Sequence, residues 1–306
     1  MVALPGGATA AFCCTDPVSH TEAEIASQPA CWARAAELDT AALPAPGERV
    51  AVIGCGTSWF MGQAYAALRE AAGHGETDAF TASEAPLHRP YGRVLALSRS
   101  GTTTEVASAL SRVAGRVPTV AVVADPDTPV ARGADQTVLL DFADETSVVQ
   151  TRFATTLLTV LRAHLGQRVE QSIADAERAL AAPLPDPLLG AEQFTFLGQG
   201  WAHGVAQEAA LKMREAAGAW TEAYPAMEYR HGPIAITGPG RVAWLFGAPP
   251  AGLAADAART GGIVVDDDLD PLADLIRVQR LAVALARAKG ADPDRPRNLS
   301  RSVILS

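Results

Sequence analysis

Along the chain, short runs of consecutive apolar residues alternate with stretches in which apolar residues recur every three or four positions. Runs of the first kind predict strands buried on both faces, and the second kind predict helices packed across them. Residues 20–43 predict one or two amphipathic helices interrupted at Pro29. RVAVIGCG (49–56) then reads as a strand entering a glycine turn, and TSWFMGQAYAALREAAG (57–73) as a helix closed by Gly73. RVLALS (93–98), TVAVVA (119–124) and TVLLDF (137–142) predict further strands, and a long helix is expected across 147–165. This is the rhythm of a doubly wound, parallel α/β sheet with helices on both faces.

The rhythm occurs twice. PLPDPLLG (183–190) is proline-rich and reads as a linker, after which the pattern restarts. VIGCG (52–56) is echoed by FLGQG (196–200), RVLALS by RVAWLF (241–246), and DETSVVQTRFATTLLTVLRAHLG by DPLADLIRVQRLAVALARAKG. An internal duplication is therefore expected. It divides the chain into a flexible arm (1–19), a helical segment (20–43), a first α/β domain (44–182), the linker, a second α/β domain (191–291) and a tail (292–306) expected over the active site.

Where the copies differ is informative. The first carries SRSGTTT between strand and helix, and the second carries FGAPPAG at the corresponding place. A helix cap inherent to the fold would recur in both copies, so the hydroxyl cluster points to a ligand with many acceptor oxygens. Such a turn, at the carboxyl end of a parallel strand, offers N–H groups, hydroxyls and a helix dipole to a phosphate. A serine-rich cap with no ligand is the alternative. No P-loop lysine follows the glycines, and GCGTSW lacks the third glycine of a dinucleotide fingerprint.

Composition narrows the classes. The 306 residues are 48% hydrophobic and 19% charged, with a net charge of −9, which argues against a nucleic-acid partner. An anionic substrate would need a local site, because the overall field repels it. Cys13, Cys14, Cys31 and Cys55 show neither metal-ligand spacing nor a disulfide framework, so a reducing cytoplasm is the expected setting. No apolar run spans a membrane, and no Lys or Arg precedes Arg34 as a secretory signal would require.

On the helix over 206–217, Glu208, Lys212 and Glu215 are spaced four and three apart and share one face. An ion-pair stripe in solvent is the plain reading. The helix starts from a glycine turn at a strand end, however, where ligands of such sheets bind.

CGTS (55–58), SRSGTTTE (98–105), ETSVVQTR (145–152), EAALKMRE (208–215), EAYPAMEYRHGP (222–233) and DPDRPRNLSRSVILS (292–306) together resemble the sugar isomerase (SIS) family in its tandem form. That family, of flavodoxin-like folds, includes the isomerase half of glucosamine-6-phosphate synthase and stand-alone glucosamine-6-phosphate deaminase/isomerases. The resemblance spans residues 20–306 and includes no glutaminase domain. It implies that Ser58, Ser98, Ser100 and Thr103 bind the sugar's phosphate with Arg99 alongside, and that Gly56, Thr57, Gln150 and Glu208 line the pocket. It assigns proton transfer between adjacent carbons to Glu215, with Lys212 stabilising charge. His231 would open the sugar ring, reaching into a neighbouring subunit's site, so a homodimer with shared sites is implied. Glu222 and Glu228 are weaker candidates for orienting that histidine.

One departure stands out. The tail lysine with which the synthase forms a Schiff base is replaced here by Arg301, a group that stays protonated and cannot attack a carbonyl. Arg301 can still bind substrate oxygens. No metal or organic cofactor is implied. The expected activity is deamination coupled to aldose–ketose isomerisation of a phosphorylated amino sugar. A simple phosphosugar isomerase, a sugar–amine deglycase, and a non-catalytic phosphosugar sensor or synthase subunit are the rivals.

Overall fold

A computed structural model describes residues 18–305 of the chain. The elements run α1 (His20–Ala26), α2 (Gln28–Ala35), β1 (Val50–Gly54), α3 (Thr57–Ala71), β2 (Thr77–Thr81), β3 (Arg93–Leu97), α4 (Thr104–Val113), β4 (Thr119–Val123), α5 (Pro129–Arg132), β5 (Gln136–Leu139) and α6 (Arg152–His164). After α7 (Glu170–Ala181) and α8 (Asp186–Leu189) come β6 (Gln193–Gly198), α9 (Ala202–Ala217), β7 (Trp220–Pro225), β8 (Arg241–Phe246), α10 (Leu253–Arg259), β9 (Ile263–Asp266) and α11 (Pro271–Ala288).

The strands form two wholly parallel sheets, ordered β2-β1-β3-β4-β5 and β7-β6-β8-β9. The second sheet repeats the order of the first four strands of the first, and only β5 has no counterpart. β1, β4 and β6 are buried at every position, as strands covered on both faces must be. Val52, Leu95 and Val122 of the first sheet share one core with Phe194, Phe196 and Trp244 of the second. The opposite faces carry smaller cores, under α4 and around α10.

The shared core is built on helices of both halves. α3 packs on α9, and α9 on α11. A Cβ added to Gly204 would lie 2.5 Å from the Phe60 carbonyl oxygen, so glycine is what lets α3 and α9 approach this closely. Thr57 meets Lys212 while Phe60 meets Gly204, so the two helices run in opposite senses.

Several local expectations shift. The helix expected over 147–165 starts at Arg152, because the Glu145 carboxylate folds back to accept the N–H groups of Thr151 and Arg152 and heads α6 from outside it. The break in the N-terminal helices is at Ser27, and Pro29 sits harmlessly in the first turn of α2. The proline-rich segment 183–190 contains α8 and buries Leu188, so it is packed chain. Of the arm expected over 1–19, residues 1–17 lie outside the described residues; Ser19 caps α1 in a capping box with Glu22. Among the described residues no helix is long and apolar enough to cross a membrane.

Candidate active site

β1 and β3 are neighbours at the point where the order of the first sheet reverses, and the chain leaves both toward a helix N-terminus. α3 follows Gly56 and α4 follows Thr103, and neither is capped by a side chain. Two uncapped N-termini on adjacent strands leave N–H groups and two dipoles for an anion. Ser58 and Ser98 are buried there, and Ser100 and Thr103 are half-buried. The turn is shaped by its own hydroxyls: Gly101 N–H donates to Ser98 Oγ (3.1 Å) and Thr102 N–H to Ser100 Oγ (3.2 Å). Gly101 has φ +63°, and a Cβ there would fall 2.1 Å from Thr128 Oγ1, so the position excludes any side chain.

Arg99 is used differently from the expectation that it lies beside a phosphate. It is fully buried, and its guanidinium donates to Glu145 (3.4 Å) and to the carbonyls of Ser147 (3.0 Å), Val148 (3.1 Å) and Arg301 (3.1 Å). These bonds make it a brace between the 145–148 loop and the C-terminal tail. Burial pushes the Glu145 carboxyl up, and Arg99 opposes that shift. Glu24, from α1, supports the same loop by accepting from the N–H groups of Thr146 and Ser147. Gln150 lies half-buried just beyond, its Oε1 without a partner among the described residues.

The tail lies across the turn. Thr102 and Ser302 share a hydroxyl–hydroxyl bond of 2.9 Å, Thr104 N–H donates to Val303 O (3.2 Å), and Leu305 N–H donates to Thr104 Oγ1 (2.9 Å). Two of the threonines therefore hold the tail. The tail was expected over the site, and the surplus of hydroxyls over what two helix starts need marks where it is held. The Arg301 guanidinium clasps the Asp144 carboxylate and the Glu145 carbonyl.

The second half supplies the ionisable groups. Lys212, 1% exposed, lies on α9 between Glu208 and Glu215. Its Nζ is 3.4 Å from Glu208 Oε1, donates to Thr57 Oγ1 (3.1 Å), and is bonded to Glu215. Thr57 in turn donates to Glu208 Oε1 (3.3 Å), so a residue from the start of α3 closes the network from the other half of the chain. Burial raises the Glu208 carboxyl to about 7 against the pull of Lys212. Burial alone would lower Lys212, but the flanking carboxylates of Glu208 and Glu215 hold it above its usual value. Glu208 is fully buried, whereas the Glu215 side chain is 20% exposed. Of the three groups on this face, only Glu215 can touch a ligand.

His231 ends a 3₁₀ turn (Glu228–His231), is exposed, and takes no part in this network. Its turn is anchored by buried Tyr229 and by Arg230, which pairs with Asp256 at 2.6 Å. Neither Glu222, whose carboxylate accepts from Tyr224 at 3.1 Å, nor exposed Glu228 is bonded to the histidine. Among the described residues no group of three or more His, Cys, Asp or Glu side chains is placed to hold a metal ion.

No protein-family model matches the chain. It is 28% identical over 321 residues to glutamine–fructose-6-phosphate aminotransferase (isomerizing) of Zymomonas mobilis, a match covering 84% of this chain and 52% of that protein. The chain thus spans about half the length of the curated relatives it matches. Its fold is shared with the solved structure of glucosamine-6-phosphate deaminase from Thermotoga maritima, at a TM-score of 0.76 and 23% identity over 94% of this chain and all of that one. It is likewise shared with tagatose-6-phosphate ketose/aldose isomerase from Escherichia coli, at a TM-score of 0.76 and 17% identity over 90% and 95%.

Proposed function

We propose that the chain processes a phosphorylated sugar, most specifically as an amino-sugar-phosphate deaminase/isomerase. The observation that carries this is the meeting of two uncapped helix N-termini, lined by Ser58, Ser98, Ser100 and Thr103, with the Thr57–Lys212–Glu215 network. Relatives of the chain and of its fold act on phosphosugars by name, which supports the same reading. The phosphate would rest on the N-termini of α3 and α4. Glu215, reachable from outside and paired with Lys212, would take the proton at the carbon next to the carbonyl or imine and return it to its neighbour. Lys212 would hold the Glu215 carboxylate in place through their ion pair and stabilise the enediol-type charge.

With glucosamine 6-phosphate, that transfer gives an enolamine and then a ketose imine. Water adds and ammonia leaves, so fructose 6-phosphate and ammonia are formed from the amino sugar and one water. The placement of Arg301 favours a route with no lysine imine at the tail. His231 would open the ring from the neighbouring protomer of a homodimer, which fits its exposure and its absence from the hydrogen-bond network of Lys212. An aldose–ketose isomerase would use the same base and cradle.

The test is ammonia release from glucosamine 6-phosphate, alongside a panel of other phosphosugars. Release that disappears in Glu215→Gln supports the deaminase. Ketose formation without ammonia makes it an isomerase, and binding with no product from any sugar makes it a sensor.

A further inference from the structure

The backbone over 145–152 is held by three buried, charged side chains. Arg99 donates to the carbonyls of Ser147 (3.0 Å) and Val148 (3.1 Å), and Glu145 accepts from the N–H groups of Thr151 and Arg152. The third is Glu24 on α1, 4% exposed and 122 residues before Thr146 in the chain. Its carboxylate accepts from the N–H of Thr146, the N–H of Ser147 (3.2 Å) and the Ser147 hydroxyl. Burying a carboxylate is costly, and here all three of its bonds go to one loop.

Glu24 is itself held in place. The Asp294 carboxylate accepts from the N–H groups of His20 (2.9 Å) and Thr21 (2.8 Å) and from the Thr21 hydroxyl (2.6 Å). Gln28, at the start of α2, donates to Gln279 on α11 at 2.7 Å. The same Asp294 accepts the Val148 N–H at its carbonyl (3.4 Å), so α1 and the loop share one support.

Gln150 lies within this frame. It is half-buried, and its Oε1 is shielded from solvent without a partner among the described residues. Val149 and Thr151, on either side of it, line a small cavity together with Lys212. A shielded amide oxygen is costly until something completes it, and an amide offers both an acceptor and donors to a hydroxyl or amine.

We propose that Glu24 is a positioning residue: through the 145–150 loop it holds the Gln150 amide against the hydroxyl- or amine-bearing part of the ligand, beyond its phosphate. The inference rests on the phosphosugar reading above. It makes the N-terminal helix part of the site's selectivity, with Glu24 acting only through the loop.

The test is calorimetric binding of glucosamine 6-phosphate and of inorganic phosphate to the full chain and to E24A, E24Q, Q150A and E24A/Q150A. E24A and Q150A should each bind the sugar phosphate roughly tenfold more weakly, about the loss of one hydrogen bond with its partner left buried. The double variant should be no weaker than either single one, because both remove the same contact. Affinity for inorganic phosphate should stay the same throughout. E24Q keeps an acceptor oxygen for the loop N–H groups and should bind nearly as the unaltered chain does. Should E24A fail to fold, S147A removes one of the three bonds and should give a smaller loss of the same kind. Q150A binding as the unaltered chain does, losses that add in the double variant, or an equal loss for inorganic phosphate overturns the positioning role and leaves the phosphosugar reading standing. Binding of neither probe by the unaltered chain overturns both.

Discussion

At the carboxyl end of β3 the chain enters α4 through SRSGTTT; at the matching end of β8 it enters α10 through FGAPPAG. The two places occupy the same point of one strand order, yet they are chemically opposed. The first is lined with hydroxyls where α3 and α4 start; α9 and α10 likewise start without a side-chain cap but carry no such hydroxyls. The second is a hollow of about 440 Å³ whose walls include Pro249 and the carboxylates of Asp266, Asp267 and Asp268. The first offers hydrogen-bond donors that suit an anion, and the second presents like charge to one. What the second half contributes instead lies one helix away, on α9, and works only because α9 packs on α3. On the function proposed above, a repeated architecture divides one site: one copy would bind, and the other would supply the proton-transfer groups.

The largest effect expected is at the base. Glu215→Gln should lower turnover about 10³-fold, within the usual range for losing a general base, with phosphosugar affinity retained. Steady-state rates and equilibrium binding separate the two, and loss of binding with unchanged single-turnover chemistry would reverse the division of labour.

Next comes the contrast between switch points. Removing Ser100 and Thr103 hydroxyls together (S100A/T103V) should weaken phosphosugar binding by roughly 30- to 150-fold, at about 1–1.5 kcal/mol per hydrogen bond. Asp268→Asn at the second switch point should leave it unchanged, because that side chain is 95% exposed and its ion pair with Arg178 is long, at 3.9 Å.

The turn glycines give a stability version of the same contrast. Gly101→Ala should cost about 2–4 kcal/mol, adding a clash with Thr128 to the positive-φ penalty. Gly252→Ala, also at positive φ but meeting only Arg230 Nη2 at 3.5 Å, should cost about 1 kcal/mol. Urea denaturation measures both, and equal costs would mean that the SRSGTTT turn relaxes around the added methyl.

A smaller effect is expected in pH dependence. Glu208 is raised to about 7 in the folded chain, so between its ordinary value and 7 the native state holds a proton that the unfolded chain has lost. Its contribution favours folding at low pH and is lost as pH rises through 7. Glu208→Gln should flatten the fall in stability between pH 5 and 7.5, and an unaltered slope would show that Lys212 keeps Glu208 ionised. Asp274, raised by burial to about 6, adds a slope of the same sign that this variant leaves intact.

The smallest effect is expected in the tail. The Arg301–Asp144 pair is 40% exposed on both sides and contributes at most about 1 kcal/mol. Arg301→Ala should leave the melting temperature nearly unchanged while amide exchange at Thr104 and Leu305 quickens. No change in exchange would show that Arg99, Thr102 and Thr104 hold the tail without the Arg301 side chain.

The alternation of strands and helices, the hydroxyl-rich turn and the shared face of Glu208, Lys212 and Glu215 were legible in the sequence. All of them depend on spacing within a few residues, where period and turn chemistry act directly. Arg99 shows where such reading stops. Its neighbours in the chain are the cradle serines, but its partners are Glu145 and the carbonyls of Ser147, Val148 and Arg301, because a buried guanidinium must satisfy its donors wherever acceptors lie. The helix expected over 147–165 is present but starts later, at Arg152, for the same reason, since Glu145 returns to head α6 and the intervening chain is held open by Glu24.

The sequence by itself determined the α/β class, the strand rhythm, the phosphate-suited turn and the absence of a lysine at position 301. Tertiary structure decided that Thr57 meets Lys212 across 155 residues, that Arg99 braces the tail, and that Thr102 and Thr104 pin it. Local pattern reports what a residue offers in charge, hydrogen bonds and backbone freedom. Which partner accepts the offer is settled by burial, when every donor taken from water has to find an acceptor in the packed chain.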